Sequence, residues 1–192
     1  FNDINVGLTT TDWELLVNDL NLASSAQLLL EAGLIPDSIR GALEAASISG
    51  TINALSLGGS LSGESIQRVA VDFDDISVQQ DTPLPGVSGL SGSLMLSSTR
   101  GQLQVNSSDL TLVIPTQFAD TMQLGNVNAV IDFDLTDDHI AIRNGRAAAR
   151  AEDFTALALL SGEIPLSPAS GHSPMLNVVL GSDRAPASRA LA

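Results

Sequence analysis

The residues of this 192-residue chain best suited to chemistry are two histidines, two runs of aspartate and a large set of serines. His139 and His172 lie far apart in sequence, each beside turn-forming residues, and neither has Glu or Cys at the spacing of a metal motif. An imidazole could serve as a general base or ligand, but an isolated one at a turn reads as a solvated side chain. "DFDD" at 72–75 and "DFDLTDD" at 132–138 gather carboxylates, which are hard ligands for calcium or magnesium. Neither run has the Gly and terminal Glu of a calcium loop. Phe73 and Phe133 take the alternate positions, so these acids read as solvent-facing strand and turn residues. "SGLSGS" at 88–93 is not a nucleophile elbow, and a chain without Lys has no Walker loop. Gly86, Gly89 and Gly92 read instead as bulged strand, where a missing side chain permits curvature or close backbone approach. Trp13, the one tryptophan, reads as an edge or core plug rather than a sugar-stacking platform. The expectation is no catalytic residue, no metal and no cofactor.

The composition narrows the partners. All eight basic residues are Arg, against 22 acids, for a formal charge of −14. Nucleic acid and anionic lipid surfaces both attract basic patches, so this chain is expected to be repelled by either, and no nucleic-acid partner is expected. Aromatic residues make up 3% of the chain, so any core is aliphatic. Without Cys there is neither disulfide nor thiolate site. No stretch approaches the roughly 20 apolar residues that span a bilayer. Phe1 is neither a start methionine nor part of a signal peptide, and the chain reads as an internal piece of a longer one.

The elements that would position any site are mostly strands. Residues 1–22 read as a hairpin, "INVGL" and "WELLVNDLNL" around Thr9, Thr10, Thr11 and Asp12. Two short helices follow within 23–49, near 24–32 and 36–47, the first capped by Ser24 or Ser25 and stopped by Gly33, the second opened by Pro36. From 50 to 182 the apolar period is two. Strands are expected at 51–58, 65–79, 87–97, 101–106, 109–115, 125–135, 138–149, 153–166 and 174–182, about eleven with the first hairpin, in an antiparallel meander. Residues 183–192 begin a further element. In "VAVDFDDISV" the phase slips between Phe73 and Ile76, which predicts a bulge. A weak internal echo relates hairpin 4–22 to hairpin 125–149.

Alternation collects Leu94, Leu96, Leu103, Val105, Leu110, Leu112, Ile114, Ile131 and Phe133 on one face. Leu157, Leu159, Val178 and Leu180 extend it on later strands. Helix is too sparse to cover so many strands, so this face meets another sheet, curls onto itself, or binds something apolar. A dry-cored β-sandwich interaction module and an apolar-ligand groove require the same alternation, and both stay open; a hydrolase is the third reading.

The run from "LIPDSIRGALEAASISGTINALSL" to "QLGNVNAVIDF" resembles the AsmA-like family, most closely its YhdP branch. The residues concerned are Ser49-Gly50 after the helix pair, the Gly86 to Gly92 segment, the strand led by Gly101, and Leu110, Leu112, Pro115 and Phe118 in a Leu-x-Leu-x-x-Pro-x-x-Phe pattern. Ala129 and Phe133 stand where the branch usually has Gly and Trp, and His139 replaces a further Trp. The resemblance covers about residues 13 to 192. It implies a mostly β fold, a long curved antiparallel sheet forming a groove with two short helices near 24–47. It also implies a periplasmic segment of a repeating envelope protein anchored in the inner membrane of a Gram-negative bacterium. In that setting phospholipid acyl chains travel between inner and outer membranes along the groove, the partners being those chains, both membranes and neighbouring repeats.

Overall fold

The computed structural model describes residues 4–23, 47–62, 66–79, 86–113, 121–136, 138–151, 155–166 and 175–184. The strands are β1 (Ile4–Leu8), β2 (Asp12–Asn21), β3 (Ser47–Ser60), β4 (Ile66–Gln79), β5 (Gly86–Ser97), β6 (Arg100–Val113), β7 (Met122–Leu135), β8 (His139–Arg150), β9 (Thr155–Pro165) and β10 (Met175–Arg184). They form one open, curved antiparallel sheet in sequence order, β1 and β10 being the edges. Each strand pairs antiparallel with its sequence neighbours. Residues 24–46, which hold nearly all of the expected helix pair near 24–32 and 36–47, lie outside the described residues, as do Ile114 and His172, and position 47 already belongs to β3.

Among the described residues the strand count is ten, against about eleven expected. The stretches expected at 101–106 and 109–115 are one strand, β6, whose pairing shifts between Ser107 and Leu110. The polar "NSSD" between two apolar runs resembles a turn in sequence, yet here it is a bulge. The predicted slip in β4 is also a bulge, between Phe73 and Ile76, with Asp75 at φ 51°.

These bulges line up across neighbouring strands. Gly50 packs against Asp75 and Ile76, Gly89 against the Asp109 carbonyl, and Gly125 against the Arg150 carbonyl. Gly89 and Gly125 have φ values of 73° and 63°, and a Cβ on either would collide with the adjacent backbone, so glycine is required at both. Ser107, 2% exposed, serves the disrupted ladder. Its hydroxyl accepts from the Ser91 N–H at 2.9 Å and donates to the Ser91 carbonyl at 3.4 Å. The Ser91 hydroxyl in turn donates to Asp74 Oδ1 at 2.7 Å and accepts from the Asp75 N–H at 3.0 Å. A seam of serine bonds thus replaces the backbone bonds that the bend removes.

The two faces differ in enclosure. Val127 is 6% exposed on one face and Val130, three residues along the same strand, is 44% exposed on the other. On the inner side of a bend side chains converge and screen one another, and on the outer side they splay apart. Val105, Leu110, Val127 and Ala129 form the buried cluster, with Val87, Leu90, Leu103, Leu124, Ala147 and Ala149 packed against it.

Candidate functional site

Cross-strand partners share a face, so the register reads out the inner side directly. Ile4, Val17, Leu55, Val71, Leu94, Leu103, Ile131, Gly145, Leu160 and Val178 form one continuous rung through all ten strands. The next rung toward the tight turns is Val6, Leu15, Leu57, Val69, Leu96, Gly101, Phe133, Ile142, Gly162 and Leu176. On the other side runs Leu20, Ile52, Phe73, Gly92, Val105, Ala129, Ala147, Ala158 and Leu180. None of these three rungs holds a charged or polar side chain. Nine strand spacings make the face roughly 43 Å across along its arc.

Of the residues singled out by alternation, Leu94, Leu96, Leu103, Val105, Ile131, Phe133, Val178 and Leu180 lie on these rungs. Leu110 belongs to the buried cluster at the bulge seam. Leu112 sits between Val87 and Met122, with Val78 and Ile48 continuing its rung. Leu157 and Leu159 lie on the opposite face. They pair with Ala148 and Arg146 and are 61% and 54% exposed. Their neighbours Ala156, Ala158 and Leu160 take the inner face, opposite Ala149, Ala147 and Gly145. The segment "ALALL" is apolar in both phases. Convergence of inner side chains admits the smaller phase, alanine beside alanine, and turns the two leucines outward.

Phe133 lies flat over Gly101, filling the space a Cβ would occupy. This places the one large aromatic of β7 against the face rather than across it, and sequence spacing carried no sign of it beyond a glycine opening a strand.

Of the two histidines, His139 lies among the described residues, beside Asp138 and Thr136. Asp138 Oδ1 meets His139 Nδ1 at 2.6 Å, and Thr136 Oγ1 meets the same nitrogen at 3.0 Å. Hydroxyl and carboxylate share one ring nitrogen, so the imidazole has no geometry for relaying a proton between them. The contacts instead tie the β7–β8 turn, and the hydrogen bond to His139, then that to Thr136, holds the exposed Asp138 carboxyl below the usual carboxylate range. Among the described residues no group of three or more His, Asp or Glu side chains is placed to hold a metal.

A sheet this long, with an uncharged inner face and a glycine-marked bulge seam, is the architecture that the resemblance implied, and the sequence profile of the YhdP protein family matches residues 2–191. The chain belongs to the YhdP family. No curated protein and no solved structure matches it. Within this AsmA-like envelope family, then, the apolar face of the YhdP-type sheet is the candidate site.

Proposed function

We propose that this YhdP-family chain is a periplasmic segment that conducts or shields phospholipid acyl chains along the inner face of its sheet, between an inner-membrane anchor elsewhere in the protein and the outer membrane. The observation that carries the reading is the uncharged rung from Ile4 to Val178, unbroken across ten strands and uncovered by a second sheet among the described residues. Burying apolar area gains about 25 cal/mol per Å² whatever the conformation of the buried chain, so an aliphatic face holds disordered acyl chains without selecting one geometry. The scarcity of aromatic residues suits the same purpose. Weak selectivity along a continuous path is what movement of many lipid species needs. The reading includes no reaction and no cofactor.

The β-sandwich alternative calls for two sheets packed face to face, and the described strands form a single open one. The lipid reading is tested by extracting the purified chain and quantifying co-purified phospholipid by mass spectrometry. A companion measurement follows envelope phospholipid transport by the full-length protein carrying Leu112→Asp. Bound phospholipid, with transport blocked by the substitution in a folded protein, supports the conduit; a lipid-free chain with normal transport in the variant overturns it.

A further inference from the structure

The bulge seam crosses five neighbouring strands. The pairing of β3 shifts between Ser49 and Thr51, that of β4 between Phe73 and Ile76, that of β5 between Ser88 and Gly92, that of β6 between Ser107 and Leu110, and that of β7 between Gly125 and Asn126. Register sets these points side by side: Thr51 faces Asp74, Ile76 faces Leu90, Gly92 faces Val105 and Leu110 faces Gly125. Beyond the seam each strand runs on for about three residues, roughly 10 Å, and stays paired. Ile48, Val78, Val87, Leu112 and Met122 form one rung there, without a charged or polar side chain. These strand ends make a lip.

The lip is folded toward the inner face. Leu110 and Val127 are 5% and 6% exposed, although the described strands form a single sheet with no second layer over them. On a flat single sheet such side chains stand up from the face and keep one side open, so enclosure this complete requires neighbouring inner side chains to close over them. Of the side chains packed on the buried cluster, Val87 and Leu124 come from the lip, and Leu103 and Ala147 from the main sheet. Ser91, at the seam, has no ladder partner on either neighbouring strand. Hydroxyls take over there: Ser107 bonds the Ser91 N–H and carbonyl, tying β6 to β5, and Ser91 bonds the Asp75 N–H and Asp74 Oδ1, tying β5 to β4.

We infer, on the lipid reading of the inner face, that this crease stands the lip up as a side wall of the acyl-chain path, with Ser91 and Ser107 as positioning residues that set its angle. An acyl chain lying on a flat face leaves its far side in water, and the hydrophobic gain scales with the area removed from water. A lip at an angle, bearing its own apolar rung, covers the chain from a second direction. Leu112, at the middle of the lip, thus faces the path from its side rather than its floor.

The chain has no Cys, so cysteines introduced at the exposed Ser88 on the lip and the exposed Ser97 on the main part of β5 take spin labels at those two places alone. A straight strand would separate them by about 30 Å. The distance measured by pulsed electron resonance should fall short of that in the parent, and Ser91→Ala or Ser107→Ala should lengthen or broaden it by about 3 Å. In a second measurement the Cys-free chain is loaded with phosphatidylglycerol bearing a nitroxide midway along one acyl chain. Access of a water-soluble nickel chelate to that nitroxide should rise several-fold in both variants, with bound lipid within twofold of the parent. Ser91→Thr, which keeps the hydroxyl, should restore both readings, and Ser93→Ala, an outer-face serine of the same strand, should alter neither. If Ser107→Ala fails to fold, Ser91→Ala, at the less buried hydroxyl, decides. A lipid-loaded parent whose acyl accessibility is unmoved by these variants, whether or not the label distance changes, overturns the wall and leaves the lipid reading intact. A parent that takes up no labelled phosphatidylglycerol defeats the lipid reading and the wall together.

Discussion

Replacing Leu103 by Asp separates a lipid path from an ordinary hydrophobic core. Leu103 is half-buried at the centre of the ten-strand rung, between Leu94 and Ile131. Removing a half-buried leucine forgoes about 1–1.5 kcal/mol of apolar burial, and its two cross-strand contacts add about 0.5–1 kcal/mol. The carboxylate itself stays hydrated, because the inner face is open when empty. A total near 2 kcal/mol corresponds to a fall of roughly 4–8 °C in melting temperature for a chain of this size. Facing hydrocarbon, the same unpaired charge costs several kcal/mol, and each 1.4 kcal/mol is about a factor of ten in occupancy. The variant should therefore melt cooperatively a few degrees below the parent while retaining less than about a hundredth of its phospholipid. Leu110→Asp is the contrasting case. Leu110 is 5% exposed inside the bulge cluster, and a charge there should consume most of a stability that is typically about 5–15 kcal/mol. Circular dichroism melts and lipid quantification on the two variants give the comparison. A Leu103→Asp chain that is folded and fully lipid-loaded refutes the assignment of the rung, and one that is unfolded shows that the face is a packed core.

Leu159→Glu, on the outer face, should leave both melting temperature and lipid content near parental values, and lipid loss in that variant would mean that both faces of β9 carry lipid. Ser107→Ala should cost about 1–3 kcal/mol in chemical denaturation, because the part-buried Ser91 N–H loses its acceptor; an unchanged midpoint would show that the seam does not depend on this bond. Gly101→Val should displace the Phe133 ring at a cost of about 1–3 kcal/mol, with Phe133→Ala at the same time recovering part of the loss, and additive effects in that double-mutant cycle would contradict the contact. The Asp138 carboxyl should titrate below the usual carboxylate range by NMR, with His139→Ala moving its midpoint back up further than Thr136→Ala does. Since the folded value is depressed, its contribution to the turn is complete above the unfolded carboxylate value and disappears as pH falls through the lower folded one. A midpoint unmoved by His139→Ala would remove that hydrogen bond from the account.

Period-two alternation, together with short turns rich in Gly, Asn, Asp and Ser, determined from sequence alone that the chain is an antiparallel meander. Wherever only one phase of a strand is apolar, it also determined which side chains share a face: Leu103 and Val105 on β6, or Ile131 and Phe133 on β7, have no alternative placement that keeps their polar neighbours in water. The slip at Phe73 and Ile76 was visible for the same reason, since an inserted residue must break a clean period. Other features depended on tertiary register. "ALALL" is apolar in both phases, so curvature and the small residues of β8 decided that Leu157 and Leu159 turn outward. "NSSD" carries the composition of a turn, and only the Ser107–Ser91 bonds and the Leu110–Gly125 pairing show that β6 continues through it. Arg100 and Asp134 lie far apart in sequence, and only the β6–β7 register sets them opposite one another. Such placements follow from how the strands align, because hydrogen-bond register converts distance along the chain into position across the sheet.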